Sequence, residues 1–365
     1  MKKWMVLLTI VMMIGTLFST STPAHADQHL SVSARNAVLM DMKSGRVLYE
    51  KAADDQHLIA STTKIMTALL AIESGMLKEK VKASHRAVYT EGSSIYLKEG
   101  EKMTLEDLVY GLMLRSGNDA AIAIAEHVGG SVEGFAYLMN EKAAWLGMNN
   151  SNFDNPHGLD SDTHYSTAYD LALLMSYSMK NDTFREVTGA ERYLSDNRDY
   201  YWFNKNKMLT RYYDFCTGGK TGYTKAAGRT LVTSAKKGDM ELVAVTLSAS
   251  DDWNDHQRMF EYGFDHYDTV TLQKEGKVTF QSVEDDTFYY PRDIQFPVTE
   301  KEKYAIQSSI QLYRDFGDDL FAGKTIYYLD DEPILETALL SEPLETGLLG
   351  LWRSVTNKLI GAGTW

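Results

Sequence analysis

Hydrophobic and polar positions in the first half of the chain predict a strand pair followed by a series of helices. VLMDM at 38–42 and RVLYE at 46–50 have strand character, and the turn-like tripeptide Lys43-Ser44-Gly45 separates them. Helical spacing of apolar residues follows in five stretches, and a capping box, Thr167-x-x-Asp170, precedes the last. The predicted helices cover residues 61–75, 105–114, 119–128, 135–146 and 171–179.

The pattern changes after residue 215 and predicts an antiparallel sheet. Residues 230–235 and 241–246 are strand-like, and the polar run Lys236-Lys237-Gly238-Asp239 between them is typical of a hairpin turn. Residues 257–267 are helical again, so residues 27–270 predict a domain of the α+β class. Beyond it, residues 271–341 predict a small β-rich domain. Its strand-like pieces are residues 270–272, 277–280, 288–290, 306–312 and 325–329.

Both ends of the chain predict segments that lie outside these domains. Residues 1–26 combine a basic start, a short apolar run and the small-residue site Ala24-His25-Ala26, which predicts a cleaved secretory signal rather than an anchor helix. Residues 342–365 predict an amphipathic helix on a membrane surface, the alternative being a helix docked on the protein itself. Its apolar stripe is Leu344, Leu348, Leu351, Trp352, Val355 and Leu359. We therefore expect an exported protein at the outer face of the cytoplasmic membrane.

Charge and cysteine content narrow the class of function. The 365-residue chain has a formal net charge of −13, which argues against nucleic acid as a partner. Its single cysteine, Cys216, excludes an internal disulfide. A thiol nucleophile remains one interpretation of Cys216, because Lys220 follows four residues later, and a passively packed thiol is the other.

Ser61 and Lys64 form the first candidate catalytic pair. Residues three apart share a helix face, and a serine in the first turn lies at the positive end of the helix dipole. A lysine among apolar residues loses basicity, so the neutral amine of Lys64 could accept the hydroxyl proton of Ser61. The spacing alone is not specific, because Ser234 and Lys237 repeat it at a strand end that leads into a polar turn.

Two further short motifs carry candidate chemistry. Ser116 could relay a proton and Asn118 could hold a substrate amide, although Ser-Gly-Asn is also a common turn or helix cap. Lys220-Thr221-Gly222 could bind a carboxylate while Gly222 lets a substrate backbone approach, or it could be a surface turn. The stretch is not a phosphate loop, because Asp214 occupies the position of the leading glycine.

In this order the three motifs are S-x-x-K, S-x-N and K-T-G of the penicillin-recognising serine enzymes. The sequence resembles the low-molecular-mass penicillin-binding proteins, the serine D-alanyl-D-alanine carboxypeptidases, over nearly its whole length. The likeness includes NPHGL at 155–159 and HYSTA at 164–168, and LMLRSGNDA at 112–120 resembles the sporulation-associated members of spore-forming bacteria. It implies the penicillin-binding/β-lactamase-like transpeptidase fold, an antiparallel sheet flanked by helices, with a small β-rich C-terminal domain.

The resemblance also implies a role for each motif residue. Ser61 would attack the carbonyl between the two terminal D-alanines of a peptidoglycan stem peptide, Lys64 would take its proton, and water would later release the acyl-enzyme. Ser116, with Lys220, would pass a proton to the departing D-alanine. The other implied groups are Asn118, Lys220, Thr221 and Gly222 for substrate binding, and the backbone N–H groups of Ser61 and Tyr223 for the oxyanion hole. No cofactor or metal is implied, and β-lactams would acylate Ser61.

Several points stay open at the level of sequence. Arg229 or Arg258 could supply the carboxylate-binding arginine that some relatives carry just after a sheet strand, and His157 could position the deacylating water or merely bond to backbone. A β-lactamase of the same fold is one alternative, but its loop glutamate is absent from FDNPHGLD at 153–160. A transpeptidase and a non-catalytic wall-binding protein are the others, and the intact motifs argue against the last.

Overall fold

The structure is a computed structural model that describes residues 30–280, 287–313 and 320–343. The predicted signal segment at 1–26 and the apolar stripe of the predicted tail helix lie outside the described residues. Within the described ranges, no helix is long and apolar enough to cross a bilayer.

The predicted elements appear in the predicted order, and the structure adds two helices, His85–Val88 and Asp182–Gly189, and several short strands that were not predicted. The helices are α1 (Lys64–Glu73), α2 (His85–Val88), α3 (Leu105–Arg115), α4 (Asn118–Gly129), α5 (Val132–Leu146), α6 (Ala168–Ser178), α7 (Asp182–Gly189) and α8 (Asp252–His266). The strands are β1 (Asn36–Asp41), β2 (Val47–Lys51), β3 (Lys80–Lys82), β4 (Lys102–Thr104), β5 (Arg192–Tyr193), β6 (Trp202–Phe203), β7 (Cys216–Thr224), β8 (Gly228–Lys237), β9 (Met240–Ala249), β10 (Asp268–Gln273), β11 (Gly276–Val278), β12 (Phe288–Tyr290), β13 (Ile294–Val298), β14 (Gln307–Leu312), β15 (Phe321–Leu329) and β16 (Glu332–Leu340).

Strand β9 lies at the centre of an antiparallel sheet with the order β2-β1-β9-β8-β7. On one face of the sheet, Val243 and Val245 belong to the main apolar core. On the other face, Thr246 Oγ1 lies 3.0 Å from the ring Nε2 of buried His256 in α8. Because successive strand residues point to opposite faces, helices cover the sheet on both sides, as the predicted α+β fold requires.

Helix α1 runs through the middle of the main core. Eight of its ten residues are buried, among them Ile65, Met66 and Leu69. Burying a large apolar side chain contributes roughly 1.5–3 kcal/mol, so this helix is held by packing rather than by its own propensity. The predicted helix at 61–75 differs at its start, where Ala60–Thr63 forms a 3-10 turn before α1 begins at Lys64. Ala60 has a φ of 47°, which an α-helix does not allow.

The C-terminal part has a second five-stranded sheet, with the order β11-β12-β16-β15-β14, and a two-stranded ribbon of β10 and β13. Its own apolar cluster consists of Phe288, Tyr290, Ile294, Ala322, Tyr327 and Leu339. Strands β13 and β16 were not predicted, because Pro297 and Pro333 within them obscure a strand pattern. The predicted boundary at residue 271 stays a prediction, since β10 runs across it.

Three segments of the fold meet near the start of α1. The 3-10 turn carries Ser61, the junction of α3 and α4 carries Ser116, and edge strand β7 carries Lys220. The loop at 155–159 closes the group from another side, because Gly158 lies against the carbonyl of Ala60. Four stretches that are distant in sequence therefore surround one serine.

Replacement of Gly158 by alanine is expected to destabilise the protein and displace Ser61. Gly158 has a φ of +86°, and an added Cβ would lie 1.9 Å from the Ala60 carbonyl oxygen. We expect Gly158→Ala to lower the free energy of unfolding by about 2 kcal/mol or more in urea titrations. Gly147→Ala is the matched control, because Gly147 has a similar φ of +77° but open space around it. Equal losses in the two variants would contradict the steric argument.

Candidate active site

The buried amine of Lys64 lies between three oxygen atoms. Its Nζ is 3.0 Å from Ser61 Oγ, 2.7 Å from Asn118 Oδ1 and 2.5 Å from the backbone oxygen of His157. The Asn118 and His157 oxygens can only accept a hydrogen bond, whereas the Ser61 hydroxyl can also donate one. A neutral amine has two hydrogens and one lone pair, which match these three partners with the lone pair directed at Ser61.

Burial is the main reason why this amine favours its neutral form. Lys64 has no exposed surface, and desolvation lowers its pKa well below the ordinary lysine value. The positive charges of Lys220 and then Lys205 lower the pKa further, while the Asp119 carboxylate raises it. The sequence-based expectation of a lysine with reduced basicity agrees with this environment.

The junction between α3 and α4 holds Ser116 and Asn118 in place. Ser116 ends α3 in the left-handed conformation, with a φ of 64°, which is strained for a residue other than glycine. The side-chain amide of Asn118 donates to the backbone oxygen of Glu91 at 2.5 Å while its oxygen meets Lys64. The backbone N–H of Asn118 donates to Ser93 at 2.7 Å. The segment around Ser93 therefore fixes the orientation of Asn118.

Edge strand β7 forms the opposite wall of the site. Lys220 is buried, its Nζ donates to the Thr221 carbonyl at 2.8 Å, and desolvation followed by the charge of Lys205 lowers its pKa to about 7. Gly222 is required by a close approach, because an added Cβ would lie 2.8 Å from the backbone nitrogen of Ser61. The chain that approaches this glycine is thus the Ser61 backbone itself.

These elements enclose an open pocket of about 520 Å³. Its walls consist of Ser61, Ser93, Ser116, Lys205, Thr221, Gly222, Tyr223, Arg229, Asp252 and Trp253. Five predicted site residues therefore face one cavity, while Lys64, Asn118 and Lys220 are buried behind its surface. The arrangement can hold an extended peptide between β7 and the α3–α4 junction.

Predicted site residue His157 does not line this pocket either. Its ring Nδ1 accepts the backbone N–H of Leu159 at 3.2 Å, and burial and then the charge of Lys64 lower its pKa to about 3. In the structure, His157 contributes its backbone carbonyl, which accepts a hydrogen bond from Lys64 Nζ. A role for its ring in positioning water stays a prediction.

Lys205 and Ser93 line the pocket although no motif contains them. Lys205 Nζ donates to Ser93 Oγ at 3.2 Å, and the backbone N–H of Lys205 donates to the carbonyl of Leu114, two residues before Ser116. Lys205 has no ion pair with a carboxylate in the described part of the chain. Sequence reasoning missed it because NKNK at 204–207 has the composition of an ordinary polar loop.

Of the two arginines considered for carboxylate binding, only Arg229 reaches the pocket. Its guanidinium is held by the carboxylate of buried Asp252, with Nε at 3.0 Å, and it lies 5.6 Å from the centre of the Trp253 ring. Arg258 instead pairs with buried Asp255 and does not line the pocket. Arg229 faces Tyr223 across the β7–β8 pair, which explains its position.

The structure argues against the other interpretations of the chemistry. Cys216 is buried at the start of β7, and desolvation raises its pKa to about 12, the opposite of what a thiolate nucleophile needs. Ser234 is bonded to Thr217 within the sheet at 2.7 Å, and Lys237 is exposed. The described residues contain no group of three histidine, cysteine, aspartate or glutamate side chains that could hold a metal ion.

A comparison with known protein families identifies the family of this chain. Residues 20–251 match the Peptidase_S11 family, D-alanyl-D-alanine carboxypeptidase, and this range contains all three motifs. The chain belongs to the Peptidase_S11 family. The predicted class, a serine-type D-alanyl-D-alanine carboxypeptidase, is confirmed by this match and by the relatives that carry the same name.

Individual relatives support the family and the fold. The chain is 38% identical over 283 residues to D-alanyl-D-alanine carboxypeptidase DacF of Bacillus subtilis, covering 73% of each protein. Penicillin binding protein 5 of Haemophilus influenzae has a TM-score of 0.75 at 25% identity, covering 86% of this chain and 97% of that one. A mutant of the Streptomyces K15 DD-transpeptidase has a TM-score of 0.61 at 33% identity, covering 64% and 99%. The predicted penicillin-binding fold is confirmed.

Proposed function

We propose that the pocket binds the D-alanyl-D-alanine end of a peptidoglycan stem peptide and that Ser61 forms an acyl-enzyme with it. The observation that carries this proposal is the distance of 3.0 Å between the buried Lys64 Nζ and Ser61 Oγ, at which a neutral amine can accept the hydroxyl proton. A base within hydrogen-bond reach of a hydroxyl is the arrangement that nucleophilic catalysis requires.

Attack begins when Lys64 takes the hydroxyl proton and Ser61 Oγ bonds to the carbonyl carbon between the two D-alanines. Negative charge then develops on the carbonyl oxygen, and we assign its stabilisation to the backbone N–H groups of Ser61 and Tyr223. Gly222 lies close to the backbone of Ser61. This supports the assignment, because it places edge strand β7 beside the serine. An edge strand also leaves backbone N–H groups free for substrate.

The peptide C–N bond then breaks, and the departing D-alanine amine needs a proton. We assign its delivery to Ser116, at the α3–α4 junction, and to Lys220 on β7. A Lys220 pKa of about 7 suits a group that gives and regains a proton near neutral pH. Water later attacks the acyl-enzyme and restores Ser61, and the ring of His157 remains our candidate for positioning that water.

Substrate binding is assigned to groups on two walls of the pocket. Asn118 would hold the stem-peptide amide with the hydrogen-bonding capacity that Lys64 and Glu91 leave unused. Thr221 and Lys220 would hold the terminal carboxylate, together with Arg229, whose guanidinium Asp252 fixes at the pocket edge. Arg229 replaces the arginine that the resemblance places after a later strand.

Penicillin acylates Ser61 in this mechanism because a β-lactam presents a strained amide to the same nucleophile. A β-lactamase is disfavoured, since the 153–160 loop lacks glutamate and its two aspartates are occupied. Asp154 accepts hydrogen bonds from Ser161 and Thr163, and Asp160 accepts one from Thr224 at 2.9 Å. Transpeptidation is the second candidate, favoured by the K15 relative, and it differs only in the acceptor of the acyl group.

The family acts on the cell wall outside the cytoplasm. We propose that residues 1–26 direct export and that the 342–365 helix holds the enzyme on the membrane surface, where it limits cross-linking. A role in the spore cortex is a further proposal, supported by the 112–120 run and by the similarity to DacF.

Ser61→Ala is expected to abolish covalent labelling by radioactive penicillin. It should also lower D-alanine release from a pentapeptide ending in two D-alanines by at least about 10⁴-fold, because the nucleophile is lost. Lys64→Ala should lower the release rate similarly, because the base is lost. Ser234→Ala is the matched control and should retain full labelling. Labelling of the Ser61→Ala protein would overturn the proposed nucleophile.

Lys205→Met is expected to move the pH dependence of penicillin acylation to higher pH. A lysine base works above its pKa, and loss of the neighbouring positive charge raises the pKa of both Lys64 and Lys220. Lys205→Arg keeps the charge and should keep the wild-type profile. Acylation rates measured from pH 5 to 10 test this. A Lys205→Met rate that falls equally at every pH would mean that Lys205 only supports the loop.

A chain that ends at Ser341 is expected to leave the membrane fraction and to keep full activity on soluble pentapeptide. The described active site involves no residue beyond 253, whereas the predicted apolar stripe begins at 344. Sedimentation with vesicles, before and after truncation, measures the difference. Continued sedimentation of the shortened chain would show that the tail is not the anchor.

A further inference from the structure

A second cavity, of about 280 Å³, lies between the catalytic part and the C-terminal sheet. The β1–β2 turn, the end of α6, α7 and β9 form one side of it, and the β12–β13 turn and β16 form the other. It shares no lining residue with the active-site pocket. We call it the junction cavity. The proposed reaction at Ser61 does not involve it.

Three cations that line the junction cavity form no ion pair with a carboxylate among the described residues, although the charge of Lys43 acts on the carboxylate of Asp41. Lys180 and Arg292 form no ion pair among the described residues. Lys43 donates only to uncharged oxygens, the backbone oxygen of Asp239 at 2.8 Å and Oε1 of Gln295 at 3.3 Å. In a chain with a net charge of −13, three cations without an ion pair around one cavity form a local patch of positive charge.

The acidic side chains at the cavity are committed elsewhere. Glu241 is paired with Arg185 at 2.7 Å and with Lys236 at 2.9 Å. Glu336 is paired with Lys324 at 2.9 Å. Asp293 is the remaining carboxylate, and its Oδ1 accepts the backbone N–H of Glu275 at 2.8 Å. The positive charge of Lys43, Lys180 and Arg292, all exposed residues that line the cavity, is therefore only partly balanced.

Ser176 provides an independent observation that points to a ligand. Its side chain is 9% exposed, it lines the cavity, and its Oγ has no hydrogen-bond partner among the residues that the structure describes. A buried hydroxyl without a partner costs about 1–3 kcal/mol, so native structures rarely retain one without a compensating ligand or water. The Oγ atom itself has almost no accessible surface in this rotamer, so the side chain would have to turn about χ1 to donate to an oxygen atom placed in the cavity.

We propose that the junction cavity binds an oxyanion of the phosphate class, either free phosphate or a phosphodiester of an anionic polymer. A tetrahedral anion offers oxygens in several directions, which suits separate donors at Lys43, Lys180, Arg292 and Ser176. Arginine pairs with phosphate through two parallel hydrogen bonds, and a serine hydroxyl adds a further donor. A carboxylate, with two oxygens in one plane, would leave part of this set unused.

Bound phosphate would link the two sides of the junction. Lys180 follows α6 in the catalytic part, whereas Arg292 lies in the β12–β13 turn, and one anion would neutralise both charges. A ligand that binds only the folded protein raises its stability in proportion to the logarithm of ligand concentration. Bound phosphate would therefore stabilise the contact between the two parts. This proposal does not depend on the proposed role of Ser61.

The test is titration of the full-length protein with inorganic phosphate at constant ionic strength, followed by calorimetry and by thermal unfolding. A glycerol-phosphate oligomer and acetate form two further arms. We expect saturable phosphate binding and a rise in Tm. Tighter binding of the oligomer per phosphate would identify the polymer as the source, and phosphate binding alone would identify the free ion.

Variants locate the site and provide the control. Arg292→Gln and Ser176→Ala should each weaken phosphate binding by about tenfold, the free-energy scale of one charge-assisted hydrogen bond, while penicillin labelling stays unchanged. Arg35→Gln is the matched control, because Arg35 is also exposed and without an ion pair among the described residues, but lies away from the cavity. Absence of saturable binding, equal binding of acetate, or an equal loss in Arg35→Gln would overturn the proposal.

Discussion

The buried amine of Lys64 is the interaction on which the rest of the site depends. A charged lysine without exposed surface would cost several kcal/mol, whereas a neutral amine with three oxygen partners does not. Those partners come from the 3-10 turn, the start of α4 and the 155–159 loop. The core can accommodate this lysine only when all three segments are in place, so folding of the core and formation of the site are coupled.

Backbone strain is concentrated at the same place. Ala60 precedes the candidate nucleophile with a φ of 47°, and Ser116 carries the second hydroxyl with a φ of 64°. Each such conformation costs about 1–3 kcal/mol for a residue other than glycine. The packing of α1 and the hydrogen bonds around Asn118 stabilise these two conformations and offset that free energy. The gain is two hydroxyl groups that face one pocket.

Local charge in this protein opposes its net charge. The chain carries −13 overall, yet the active site brings together three lysines and one arginine, Lys64, Lys205, Lys220 and Arg229. Burial and mutual repulsion lower the pKa of Lys64 and Lys220, and the positive charge that remains in the site favours an anionic substrate terminus. The junction cavity shows the same reversal with a different set of residues. Net charge therefore says little about what either cavity binds.

The sequence by itself determined the α+β order, most helix ends and the three motifs, because periodicity, caps and short motifs are local signals. Thr167 caps α6 through the N–H of Asp170, as its spacing predicts. Only the tertiary structure decided that Arg229 rather than Arg258 reaches the pocket, that Lys205 joins it, and that His157 contributes its carbonyl. These outcomes depend on strand pairing and loop packing between residues that are distant in sequence, which a linear pattern does not contain.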